Sequence, residues 1–310
     1  MSTAVQQAPA SFSPTESQLA IAYSVCRGIA RSAARNFYYA FFVLPRRKQN
    51  ALCAVYAFMR RCDDITDDAS VPLMERRSRL ADWLDAFHRA QAGQSTDDPI
   101  LLALTDAQHR YRIPVELLDQ LAYGTAMDVQ ESRDQPDSAL AVQYKTFDDL
   151  YLYCYRVAAV VGLVCIRVFG YREAAAEPLA ERCGLAFQLT NIIRDVKEDA
   201  AMGRVYLPVT DLEKFGLTAG ELQGTVDAVR FRPLLAMEAD RAREFYRAAE
   251  DLLPLLDEDS QPAFWVLVNI YRSLLEKIAE RQYDVFSGKI RLTAFEKLRI
   301  LGKGLLKRLT

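Results

Sequence analysis

The sequence predicts an all-α protein. Three observations carry this. Only 13 Gly and 12 Pro occur in 310 residues, too few for the turns of an all-β chain. Ala, Leu, Arg and Glu, all strong helix formers, dominate the composition. Apolar residues recur at three- and four-residue spacing along almost the whole length. With 51% of residues apolar, the chain can build one sizeable core. No solenoid-period repeat and no long linker interrupts it, so a single helical domain is expected over 18–288.

The elements follow in order. Residues 1–17 are polar, without an early basic cluster or an apolar run, and read as a flexible tail rather than a signal peptide. Helical periodicity then covers 16–34, 46–68, 72–92, 98–111, 114–130, 146–170, 173–201, 232–254, 260–286 and 292–308. Pro45 and Pro114 suit first-turn positions, where a missing N–H is no loss. The stretch 131–142, "ESRDQPDSALAV", reads as a loop or flap, and 202–230 is rich in turn residues. The longest apolar run, 157–166, ends at Arg167 and is too short for a bilayer that needs about 20 residues.

The segment 289–310 is a basic amphipathic helix. Phe295, Leu298, Leu301, Leu305 and Leu309 share one face, while Lys297, Arg299, Lys303, Lys307 and Arg308 supply charge. Two readings stand side by side: an interfacial helix drawn to anionic lipid, or a terminal helix docked on the domain with a solvated basic face.

Composition also excludes functions. A net charge of −2 gives no electrostatic footprint for nucleic acid. The six cysteines form no CxxC pair and read as buried free thiols. Two histidines, His88 and His109, outside any HExxH or ExxH pattern, argue against a zinc or di-iron centre. No GxGxxG fingerprint is present, so no dinucleotide fold is expected.

The chemistry concentrates in two acidic stretches. "RRCDDITDD", 60–68, crowds Asp63, Asp64, Asp67 and Asp68 at the end of an apolar helix. Like charges this close disfavour a helix unless a cation joins them. At about 100° per residue, Tyr56, Arg60, Asp63 and Asp67 form one stripe on a helix that buries Leu52, Val55 and Met59. The second stretch, "FQLTNIIRDVKEDAAMGRVYLP", spaces Gln188, Asn191, Asp195 and Asp199 three or four residues apart. Neither offers His or Cys, and all-oxygen donors select hard cations, Mg²⁺ above all. Arg60, Arg61, Arg194 and Lys197 accompany them, and cations mixed with carboxylates suit a metal-bound diphosphate. One acidic helix end is commonly only a solvated surface; two of matched design point to a site.

These stretches resemble the motifs of the head-to-head (1′-1) prenyl synthases, the family of squalene, dehydrosqualene, presqualene diphosphate and phytoene synthases. The resemblance rests on "YAFMRRCDDITD", "GLAFQLTNIIRDVKEDAAMGRVYLP" and "TFDDLYLYCYRVAAVVG", and covers about residues 20–290. It implies an isoprenoid synthase helical bundle around a central cavity, with both acidic motifs facing each other at the mouth and holding several Mg²⁺ ions. By position, Asp63, Asp67, Asn191, Asp195 and Asp199 match the metal ligands. Arg35, Tyr56, Arg60, Gln188, Arg194 and Tyr271 match diphosphate-binding residues, and Tyr153 matches a tyrosine beside the cyclopropane-forming chemistry. Phe37, Tyr38, Phe41 and Phe187 are either core aromatics or faces that stabilise a carbocation. Two departures stand out: "ARNF" (34–37) replaces the family's "SKSF", keeping only the basic position at Arg35, and Ala159 replaces a glycine.

The implied reaction is condensation of two farnesyl diphosphates to presqualene diphosphate, with NADPH required only if it proceeds to squalene. "NFYYAFFVLP" and "RVFGYRE" look most like bacterial presqualene diphosphate synthases of hopanoid biosynthesis. That likeness implies a cytoplasmic enzyme, peripheral to the inner face of the membrane, with downstream hopanoid or squalene enzymes as partners. Three alternatives stay open: a phytoene synthase using geranylgeranyl diphosphate, a class I terpene cyclase, and a catalytically silent relative serving assembly.

Overall fold

Helices account for nearly every described element, as the periodicity predicts. The computed structural model describes residues 13–33, 35–68, 70–131, 142–224 and 226–309. In chain order the helices are α1 (Glu16–Ala33), α2 (Arg35–Phe41), α3 (Arg46–Thr66), α4 (Leu73–Gln91), α5 (Pro99–Tyr111), α6 (Val115–Glu131) and α7 (Phe147–Cys154). A π-helical turn (Tyr155–Ala159) joins α7 to α8 (Val160–Phe169). There follow α9 (Ala176–Ala201), α10 (Val209–Lys214), α11 (Ala228–Tyr246), α12 (Ala248–Leu252), α13 (Gln261–Glu280) and α14 (Ala294–Leu309). Two short strands, β1 (Val142–Gln143) and β2 (Arg204–Val205), pair in parallel.

Local chemistry explains where elements begin and where the periodicity misplaced them. Asp98 caps α5 by accepting from Ile100 N at 2.8 Å and Leu101 N at 3.1 Å. Thr146 and Asp149 form a reciprocal capping box that starts α7. The Asp227 side chain caps α11 at Val229 N, so that helix begins inside the stretch read as irregular, and Pro233 lies within it. The same stretch holds β2, α10 and a 3₁₀ turn. Helix α2 has no counterpart in the predicted elements, because its aromatic run "NFYYAFF" lacks polar alternation. The pattern over 260–286 overshoots: α13 stops at Glu280, and Gln282 and Tyr283 turn left-handed at φ 54° and 57°. Pro45 and Pro114 stand just before their helices rather than within the first turn. Of the expected flap over 131–142 only the end residues are described, Glu131 in α6 and Val142 in β1; its remainder, most of the expected tail and the Arg35 side chain lie outside what is described.

The apolar run at 157–166 belongs to a longer element. The continuous helical stretch Phe147–Phe169 has 23 residues and a mean hydropathy of 1.8, enough by length and composition to cross a membrane. Half of its most apolar window is buried inside the protein, where α8 packs on α6 and α9 as a core helix. All six cysteines are buried, and none forms a disulfide.

Two contacts orient the walls of that core. Lys48, near the start of α3, donates to the Phe169 carbonyl at 2.7 Å, at the end of α8. Arg167 donates to Glu177, in the first turn of α9, at 2.6 Å. The N-terminal ends of α3 and α9 therefore both lie beside the end of α8, and both helices run away from it. Their acidic C-terminal ends leave the domain at the opposite end.

Candidate active site

Between these walls lies an apolar cavity with an empty volume of about 950 Å³, its opening to solvent included. Leu52, Phe169, Ala180, Leu252 and Phe264 line its floor, and Met59, Tyr56, Gln188, Asn191 and Tyr271 line its upper part. From Ala180 to Asn191 the α9 wall rises about 16 Å at 1.5 Å per residue. Backbones approach closely along it. A Cβ on Gly184 would meet the Ala158 carbonyl oxygen at 2.6 Å, so only glycine lets α9 pack directly on the π-helical turn. Gly124 on α6 meets the Arg156 carbonyl from the other side in the same way, at 2.6 Å. The turn is thus held between two helices while Val157 and Ala158 face the cavity.

Phe37, Tyr56, Asn191 and Tyr271 are shared between the cavity and a polar mouth above it. The mouth is cationic, with Arg31, Arg194, Lys289, Arg291 and Lys297 along its edge. Motif spacing pointed only to Arg194. The others come from α1 and from the segment after α13, and no local pattern marks them as neighbours of the acidic helices. The aromatics divide by place. Phe187 stacks on Tyr271 with ring centres 4.6 Å apart, and Phe37 meets Tyr271 edge-on at 5.9 Å. Phe41 lines the cavity, and Tyr38 lines the mouth.

Each acidic end carries its own compensation. On α3, Arg60 pairs with Asp64 one turn on at 2.5 Å, Asp63 is half-buried and Asp67 is exposed. On α9, Asp195 accepts from Arg194 Nε at 2.8 Å and pairs with Lys289 at 3.2 Å. Lys289 also reaches Glu198 at 3.3 Å. Burial alone would raise the Asp195 carboxyl; its bonds to Arg194 and the nearby Lys289 outweigh that and hold it below the usual carboxylate range. Asp199 lies farther along α9, beside Arg204 and Tyr206.

Tyr153 stands apart from the cavity lining. It is buried in a tyrosine cluster, stacked on Tyr206 at 5.0 Å and tilted against Tyr144 at 5.4 Å. Backbone bonds from Val209 N to Tyr144 O and from Thr210 N to Lys145 O zip these two segments together over α7. Tyr153 therefore backs the acidic end of α9 through Tyr206.

The donor chemistry fits a hard divalent cation. The side chains in place are carboxylates and one amide, and Lys289 already lies where positive charge is wanted, between Asp195 and Glu198. Among the described residues no three His, Cys, Asp or Glu side chains converge into a finished cage. Mg²⁺ needs none, since it takes a few protein oxygens and completes its shell with water and phosphate.

The chain matches the squalene/phytoene synthase family over residues 30–296. It is 34% identical to a phytoene synthase of Mycobacterium bovis, covering 93% of this chain and 92% of that one. A 15-cis-phytoene synthase of Synechococcus elongatus is 32% identical, with 98% of both chains covered. Among solved structures, a dehydrosqualene synthase crystallised with ligand superposes with a TM-score of 0.82 at 28% identity, covering 93% of this chain and 96% of that one. The squalene synthase HpnC of Alicyclobacillus acidocaldarius gives 0.75 at 26% identity, covering 87% and 97%. The fold, the family match and the identity over nearly the full length lead to one conclusion: the chain belongs to the squalene/phytoene synthases, enzymes of head-to-head prenyl diphosphate condensation.

Proposed function

We propose that the protein catalyses the Mg²⁺-dependent condensation of two farnesyl diphosphates to presqualene diphosphate. One observation carries this reading: an apolar cavity between α3 and α9 that opens at Tyr56 and Asn191 into a cationic mouth, where Lys289 and Arg194 pair with Asp195 of α9. Prenyl chains would fill the cavity and leave their diphosphates at the mouth. The dehydrosqualene synthase likeness and the aromatic floor favour the shorter, C15 substrate.

Asp63, Asp67, Asn191, Asp195 and Asp199 would hold Mg²⁺, which when bound neutralises diphosphate and makes it a competent leaving group. Arg194 and Lys289 at the mouth aim fixed positive charge at the departing oxygens, and Arg60 joins them by motif. Arg35 has the same role by motif. Gln188, Tyr56 and Tyr271 orient the diphosphate ends at the top of the cavity. The C–O bond of one substrate breaks, and its allylic cation is attacked by the double bond of the second. Loss of a proton to the released diphosphate then closes the cyclopropane. Stacked Phe187 and Tyr271 face this cation, and the apolar walls keep water from reaching it. Tyr153 acts through Tyr206, fixing the acidic end of α9. NADPH has no role in this reaction.

The identity to phytoene synthases favours a second reading, in which two geranylgeranyl diphosphates are joined. Incubation with farnesyl or geranylgeranyl diphosphate and Mg²⁺, with and without NADPH, followed by mass spectrometry, decides. Presqualene diphosphate from the C15 substrate, unchanged by NADPH, supports the proposal. Squalene on adding NADPH extends it. Phytoene from the C20 substrate alone replaces it, and no turnover of either leaves a silent relative.

A further inference from the structure

Helix α14 packs on α13 and α2 with one face and leaves the other largely exposed to solvent. Gly304 is the close contact on the inner side, where a Cβ would lie 2.2 Å from Val266 Cγ2. Lys297 on the same side lies over the Tyr39 ring at 5.4 Å. The inner face is therefore already satisfied. The outer face carries Phe295, Leu298, Leu305 and Leu306, with Phe295 74% and Leu298 55% exposed. At about 100° per residue these four fall in one sector, and Arg299 and Lys303 follow along one edge of it.

Two further observations indicate what covers this face. The segment 289–310 carries Lys289, Arg291, Lys297, Arg299, Lys303, Lys307 and Arg308 against the single acid Glu296, in a chain whose net charge is −2. The mouth also adjoins this helix: Lys297, on the inner side of its first turn, lines the mouth together with Phe42, itself 56% exposed. An apolar sector edged by basic residues is the signature of a helix lying in a lipid interface.

We propose that the outer face of α14, continued by Phe42, seats the protein on an anionic lipid surface, with the cavity mouth at the lipid boundary. Leucines and Phe295 enter the acyl region, while Arg299 and Lys303 meet lipid phosphates at its edge. Prenyl substrate and product would then pass between bilayer and cavity with little exposure to water. The seating depends on neither the chain length nor the chemistry proposed above.

The test is flotation of the full chain with phosphatidylcholine vesicles, and with vesicles that also contain phosphatidylglycerol. Binding is expected to the second kind and to weaken as salt rises. The double variants Leu298→Glu with Leu305→Glu, and Arg299→Glu with Lys303→Glu, should each lose about tenfold or more in binding, with unchanged thermal unfolding. Absence of binding by the parent chain overturns the proposal, as does binding by the leucine pair at the parent's level. Sedimentation showing a dimer that the leucine pair dissolves also overturns it, since a second copy would then be the occupant.

Discussion

Single carboxylates in this chain do different work according to what surrounds them. Asp67 is exposed at the end of α3, and its N–H donates to the Asp63 carbonyl at 2.8 Å. Its side chain has no packing duty, so Asp67→Asn isolates the proposed ligand role. Turnover should fall at least about 100-fold, the scale of losing one electrostatic stabiliser. The unfolding midpoint should stay in place; activity close to the parent's would remove Asp67 from the metal set. Glu238 is the opposite case, 1% exposed on α11, accepting from Arg241 at 2.8 Å. Burial, countered by Arg241 and reinforced by Asp211, raises its carboxyl from 4.5 to about 7. Between those values the unfolded chain has released a proton that the folded chain keeps. Its contribution to stability is full below about 4.5 and is lost as pH rises through about 7. The loss is of order 3 kcal/mol. Glu238→Gln has no proton to lose, so its unfolding midpoint should gain on the parent's between about pH 5 and pH 8. A gap constant with pH would show that Arg241 keeps Glu238 ionised throughout.

At the scale of elements, the sequence made some features plain and hid others for identifiable reasons. Helix α3 was legible with its acidic end, because periodicity and motif coincide in 46–68. The second acidic set was equally plain, since Asn191, Asp195 and Asp199 lie on one uninterrupted helix. The π-helical turn was not, because its five residues keep an apolar pattern and differ only in backbone pairing. The mouth cations Lys289 and Arg291 were hidden because the tertiary fold, rather than any local spacing, brings that loop over α9. The glycines that hold the turn give the element-scale prediction. Gly184→Ala places a Cβ 2.6 Å from the Ala158 oxygen and 2.7 Å from Ala159 Cα, both backbone atoms that do not swing aside. Helix α9 must then move off the turn, at a cost of about 1–3 kcal/mol, read by urea unfolding. The same substitution at Gly28, where a Cβ would meet nothing within 4 Å, should stabilise by up to about 1 kcal/mol. Equal effects at the two sites would show that backbone contact does not set the packing.

For the whole molecule, the proposed function makes substrate length depend on where the cavity stops. The wall helices α3 and α9 start together beside the end of α8, so the floor is built where three chain segments converge. Lys48 secures that convergence, bonding the Phe169 carbonyl, Asp257, Asp259 and Ser260. Phe169, only 2% exposed to solvent, closes the bottom together with Phe264. A diphosphate fixed at the mouth points its chain at this floor, and each added isoprene unit must find room there. Phe169→Leu trims the floor while keeping an apolar side chain, and so opens depth without the about 3–5 kcal/mol expected for truncation to Ala. With equal farnesyl and geranylgeranyl diphosphate in competition, the parent should favour the C15 substrate. The variant should move the ratio of kcat/KM toward C20 by about tenfold, the scale of about 1.4 kcal/mol of relieved crowding. Its KM for farnesyl diphosphate should rise only slightly, because the mouth is untouched. If the parent already prefers the C20 chain and the variant leaves the ratio where it was, Phe169 does not set the depth. The phytoene reading would then replace the presqualene one.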